Sequence, residues 1–155
     1  MAEIKYGHVE GPGKGKEYPV AASQTFYRRG GKFCYLDSTG AVTLANCNSA
    51  TTIMGWVETP KDADGYTYWV SDSTAKTDKV FVITPTMGDV FEIPSKDTSL
   101  TATSIGKGAA VIVTSGVQKA DIGNTASTEM LTVVGIDNDN DTVLVRVKSK
   151  YVQNL

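Results

Sequence analysis

Between Gln24 and Val57 the apolar residues recur with a period of two, and turn residues interrupt them every few positions. That pattern belongs to half-buried strands, not to a helix. In residues 32–36, Phe33 and Tyr35 share one face, while Cys34 and Leu36 share the other. Asp37-Ser38-Thr39-Gly40 is turn chemistry: aspartate bonds the backbone two residues on, and glycine accepts positive φ. Val42 and Leu44 then alternate with Thr43, which predicts a hairpin. A third strand is expected over residues 53–57, with Ile53, Gly55 and Val57 facing one way and Met54 and Trp56 the other. Gly55 inside it points to a bulge or a close backbone approach.

The same grammar continues. Residues 66–70, 79–83, 89–93, 111–113, 130–136 and 142–147 are rich in strand formers and bounded by Gly, Pro, Asn or Asp. Val143, Val145 and Val147 alternate with Leu144 and Arg146 in a terminal hairpin. Only residues 98–105 read as one short helix, capped by Thr98 or Ser99 and stopped by Gly106, with β-branched residues weakening it. The fold expected is all-β: a small barrel or sandwich of short antiparallel strands. The β-domain spans residues 26–155, as one unit or as two subdomains, 26–78 and 79–155. Residues 1–25, sparse in apolar side chains and broken by Gly7, Gly11, Gly13 and Gly15, read as an extended arm, mobile or ordered by a partner. A chain of 155 residues buries roughly 70% of its unfolded surface, so it needs no metal or disulfide to fold.

Catalytic constellations are hard to find. His8 is the single histidine, and it lies in the glycine-rich arm, where a solvated role is expected. Ser-His-Asp, Cys-His and multi-histidine metal sites therefore lack their imidazole. Gly11-Pro12-Gly13-Lys14-Gly15-Lys16 is superficially like a phosphate loop, but the Gly-x-x-x-x-Gly-Lys-Ser/Thr spacing fails. Asp137, Asp139 and Asp141 stand at calcium-loop spacing, yet Thr142 and Lys148 occupy the places of the required Gly and Glu. A polar hairpin turn is the expectation there. Cys34 and Cys47 read as free thiols, with a disulfide between hairpin neighbours as the alternative. Tyr66, Tyr68 and Trp69, with Trp56 and Tyr35, read as core or subunit packing, with a sugar- or base-stacking row as the alternative. Arg28, Arg29 and Lys32 form a small basic patch expected to be solvated. Net charge is −2, so no global basic field exists to hold nucleic acid. No apolar run reaches the roughly 18 residues of a membrane helix, and the N-terminus lacks a signal-peptide core, so cytosolic synthesis is expected. No catalytic, cofactor or metal residue is assigned, and an enzyme is not expected.

One resemblance goes further. Residues 20–26, then 31–37 (Gly-Lys-Phe-Cys-Tyr-Leu-Asp), then 40–45 (Gly-Ala-Val-Thr-Leu-Ala), then Ile53-Met54-Gly55-Trp56 form a cadence. It resembles the capsid decoration, or cement, proteins of tailed bacteriophages. Val90-Phe91-Glu92-Ile93-Pro94, Ile136-Asp137 and the last strand with its short polar tail are similar too. These are loose hydrophobic patterns over residues 19–152, and they carry no site residues over. The resemblance implies a non-enzymatic β protein on the outer face of an assembled head. Its partners would be the major capsid protein and itself, as a homotrimer, with no nucleic acid or membrane. It would bridge capsomers and reinforce the shell. The arm at residues 1–25 would then be the gripping part, removable without unfolding the β-core. A carbohydrate- or cell-surface-binding β-module, and another phage tail or head-completion protein, are the alternatives.

Overall fold

The computed structural model describes residues 6–48, 52–59 and 67–153. Among them lie thirteen strands, numbered in chain order: β1 (Gly7–Glu10), β2 (Gly15–Pro19), β3 (Thr25–Tyr27), β4 (Phe33–Leu36), β5 (Val42–Leu44), β6 (Gly55–Val57), β7 (Tyr68–Val70), β8 (Lys79–Ile83), β9 (Val90–Pro94), β10 (Gly108–Thr114), β11 (Val117–Ile122), β12 (Leu131–Asp137) and β13 (Thr142–Val147). Every strand ladder is antiparallel.

Three sheets result. A six-stranded sheet runs β1-β9-β13-β12-β10-β11, a five-stranded one β2-β8-β6-β4-β5, and β3 pairs with β7 alone. The six-stranded sheet curls until Ser95, just past β9, bridges Ala120 in β11. One bridge does not close a barrel, so the architecture is a sandwich.

The alternation read from the sequence places the core. Phe33, Trp56 and Ile83 on one face of the five-stranded sheet pack with Phe91, Ile93, Val111, Leu131, Val143 and Val145 of the six-stranded sheet. Cys34, Val42, Val57, Val80 and Val82 on the opposite face pack with Phe26 and Trp69 of β3 and β7. The middle sheet is therefore covered on both sides, in three layers. At the centre of the larger core Phe33 meets Trp56 edge-on at 4.7 Å, and Trp56 stacks on Phe91 at 5.4 Å. Such aromatic pairs add roughly 0.5–1.5 kcal/mol each beyond their buried area.

Gly55 marks a close backbone approach, as read: a Cβ there would lie 2.3 Å from the Ile83 carbonyl oxygen. The facing read for residues 53–57 needs correction. Ile53 joins Trp56 in the larger core and Met54 joins Val57 in the smaller. Strand β6 starts only at Gly55, and Ile53 belongs to a separate parallel bridge with Val152, so the alternation slips. The short helix is also corrected. Residues 98–105 contribute one 3-10 turn, Ala102–Ser104, preceded by Thr101 without a side-chain cap, and a second 3-10 turn forms at Ser149–Tyr151.

The N-terminal segment differs most from its reading as an arm. It is extended, but the chain itself supplies its partners. Strand β1 pairs with β9 in one sheet and β2 with β8 in the other. Between them the 11–14 turn packs on residues 84–89, with the Thr84 N–H donating to the Lys14 carbonyl. Val20 is fully buried in the smaller core. The segment needs few apolar residues because it is held by ladder hydrogen bonds, a contribution that hydrophobic patterning does not register. The boundary between 26–78 and 79–155 likewise does not separate two subdomains: β8 pairs with both β2 and β6, and the larger core draws on residues before and after it.

Candidate functional site

His8 is not solvated. Strand β1 sets it opposite Phe91, its ring lies edge-on to that ring at 5.5 Å, and its Nε2 is 2.8 Å from Asp89 Oδ1. Asp89 is fully buried. Its Oδ1 also accepts the Gly13 N–H at 3.0 Å, and its Oδ2 accepts the Thr86 N–H and hydroxyl, both at 2.8 Å. Burial pushes this carboxyl's pKa up, but the bonds from Gly13, Thr86 and His8 outweigh it and hold the group below its ordinary value. The glycine-rich run that looks like a phosphate loop is thus wrapped around a carboxylate. Gly11, at φ +102°, sits so close that a Cβ would be 2.4 Å from the Gly88 carbonyl oxygen. The cluster joins the two sheets. With four donors on one carboxylate, its chemistry is structural.

The basic patch divides. Arg29 is exposed, Arg28 is half-buried, and Lys32 is only 2% exposed, so the solvated reading fails for Lys32. Residues 27–30 make a tight turn, and the Lys32 ammonium donates to the Arg28 and Gly30 carbonyls at 2.9 and 3.2 Å. It also lies 5.5 Å from the centre of the Trp56 ring. Burial lowers its pKa to about 8, opposed by the charge of Glu58 and aided by that of Arg28. Lys32 staples a turn to the core and presents no charge to a partner.

The aromatic row is dispersed. Trp56 is buried in the larger core, and Trp69 stacks on Phe26 at 6.0 Å beneath the surface. Tyr35 packs against the larger core. Tyr68 is exposed beside Tyr27, the rings tilted with centroids 5.6 Å apart. Tyr66 lies outside the described residues. A stacking platform that includes Trp69 does not form.

In residues 137–141 the carboxylate of Asp137 faces inward to its own turn. It accepts the N–H groups of Asp139 and Asn140, at 3.0 and 3.2 Å, and the Asn140 side chain at 2.8 Å. Asn138 turns back to bond both main-chain groups of Leu100. This is the hairpin turn expected between β12 and β13. Among the described residues no group of three or more His, Cys, Asp or Glu side chains is placed to hold a metal ion. Cys34 and Cys47 are unbonded and fall on opposite faces of the middle sheet. Burial raises the pKa of the Cys34 thiol far above its ordinary value.

Sequence reasoning missed Gln118. It is 1% exposed, and its carboxamide serves Phe33 and Ala45 across the layer boundary. The only trace in the sequence is that it shares the inward parity of Ala120 in β11. Among the described residues, no helix is long and apolar enough to cross a membrane. No protein-family model matches the chain, and no curated protein matches it.

Proposed function

We propose that the chain is a non-enzymatic virion structural protein that binds the outer surface of a tailed-phage head and reinforces it by bridging capsomers, as a homotrimer. The observation that carries this reading is the cadence over residues 31–37, 40–45 and 53–56, which resembles decoration proteins. Those residues fall on β4, β5 and β6 and the loop just before β6, within the doubly covered middle sheet. A rigid layered body suits a part that must carry load between neighbours. Weak contacts repeated over many sites would add through effective concentration.

The gripping role first assigned to residues 1–25 moves elsewhere in this proposal. Removing them would strip one strand from each main sheet, so contact falls to exposed loops and faces instead. The test is co-sedimentation with empty expanded heads assembled from the major capsid protein of the same genome, with copy number read per capsomer. Saturable binding in multiples of three supports the reading. Heads that sediment without the protein, while the protein remains folded, refute it.

A further inference from the structure

We infer that the cleft beside the C-terminal 3-10 turn binds an acidic, extended peptide segment of a partner protein. The cleft encloses about 580 Å³ and is walled by Cys47, Asn48, Ser127, Glu129, Lys148 and Lys150. Its shape has a backbone cause. Strand β10 begins at Gly108, and the space a Cβ would fill there is taken by Glu129 Cδ at 2.9 Å and Lys148 Nζ at 3.0 Å. Lys148 is half-buried, while Lys150 is exposed with its ammonium 4.8 Å from the centre of the Tyr151 ring.

Neither ammonium forms an ion pair with a carboxylate among the described residues, where the pairs are His8–Asp89 and Lys96–Asp121. One carboxylate against two ammonium groups gives this lining a charge of +1, in a chain whose net charge is −2. The wall is polar, with hydroxyl and amide groups at Ser127 and Asn48 for main-chain or carboxylate bonds. An open polar trough of this volume takes a few residues of extended chain. Its two ammonium groups, neither of them ion-paired among the described residues, select Asp and Glu side chains, and the rest of the surface discourages nonspecific polyanion binding. This inference does not depend on the capsid reading.

Cys47 makes the site reportable, because it lies on the cleft wall and Cys34 is buried. The probe is a fluorescein-labelled hexaglutamate peptide, with neutral N-ethylmaleimide as the alkylating agent. Saturating peptide should slow alkylation of Cys47 severalfold. The double variant Lys148→Gln/Lys150→Gln should weaken peptide binding about tenfold, as expected from losing two partly exposed ion pairs. The control Lys14→Gln/Lys16→Gln, on strand β2 and its approach, should leave it unchanged. Equal loss in both double variants, or unaltered Cys47 alkylation at saturating peptide, overturns the assignment. Circular dichroism of each variant separates lost binding from lost fold.

Discussion

The side chain of Gln118 satisfies both main-chain groups of Phe33. Its Oε1 accepts the Phe33 N–H at 2.8 Å, and its Nε2 donates to the Phe33 carbonyl at 2.9 Å and to that of Ala45 at 2.9 Å. The Gly31 N–H reaches the Gln118 carbonyl at 2.8 Å, so strand β11 of one sheet is sewn to the entry of β4 in the other. Replacing Gln118 by Leu leaves the buried Phe33 N–H and Ala45 carbonyl without that partner, while the Phe33 carbonyl keeps the Ala45 N–H at 2.9 Å. At roughly 1–3 kcal/mol for each unsatisfied group, the loss should reach about 2 kcal/mol or more. Urea unfolding measures it; a loss below about 1 kcal/mol would mean that water or a shifted backbone replaces the amide.

Asp89 gives a second, more local prediction. Its carboxyl is held below the ordinary value, so the folded state binds its proton less readily than the unfolded chain does. The stabilisation is present above the ordinary value of 3.8 and is lost as pH falls through the lowered folded value. At neutral pH, Asp89→Ala should release the Gly13 N–H and loosen β1 and β2 together. Hydrogen exchange over residues 7–19 should quicken by about tenfold or more, while β12 and β13 keep their protection. Equal acceleration everywhere would show that the cluster holds the whole fold rather than its N-terminal segment.

Lys32 sets a pH dependence of the same sign in an alkaline window. Its ammonium is held at about 8 against an ordinary 10.5, so between those values the unfolded chain binds more protons. The cost of burying the charge is complete below pH 8, and this residue's contribution to stability rises as pH climbs through that window. Cys34 opposes it from about pH 9, because the unfolded thiol ionises near its ordinary 9.0 while the buried one keeps its proton. The clear interval is therefore about pH 8 to 9. There wild type should gain on Lys32→Met by up to about 1.4 kcal/mol per pH unit. Parallel stability curves for the two proteins across that interval would rule the buried charge out.

Much of this fold was written in local alternation. Phe33 and Cys34 fall on opposite faces because neighbours in a strand must, and Gly55 marks its own close contact. What was not legible depends on pairings across long stretches of chain. His8 and Asp89 are 81 residues apart, and Gln118 and Phe33 are 85 apart. Lys32 misled for a different reason: its partners are the carbonyls of its own turn, and a charged residue beside two arginines reads as surface until the turn is seen to fold over it. The N-terminal strands escaped notice because ladder bonds, not apolar side chains, hold them.

The two thiols should separate cleanly. Cys47 is half-buried on an open cleft, whereas Cys34 is sealed in the smaller core with its thiol bonded to the Gly55 carbonyl. Under native conditions N-ethylmaleimide should add once, at Cys47, with the second adduct appearing only on unfolding. Mass spectrometry of the intact protein and its peptides decides this. Two rapid adducts would place Cys34 nearer solvent than the packing of Phe26, Val57 and Val82 allows.

Strand β2 is a sheet edge protected against its own copies. The Lys14 carbonyl and the Val20 N–H bond toward β8, so Gly15, Glu17 and Pro19 turn their main-chain groups outward. An antiparallel copy must pair outward residues with outward residues. The register centred on Glu17 sets two carboxylates face to face, and the one centred on Lys16 sets two ammonium groups face to face. The register centred on Tyr18 puts Pro19, which has no N–H, opposite Glu17. Self-assembly in the proposed trimer must then use faces or loops, not this edge. Glu17→Val with Pro19→Val opens the registers centred on Glu17 and on Tyr18 and should create a larger species than the parent at equal concentration, seen by sedimentation velocity. A variant that sediments as the parent does would show that charge and proline are not what keeps β2 unpaired.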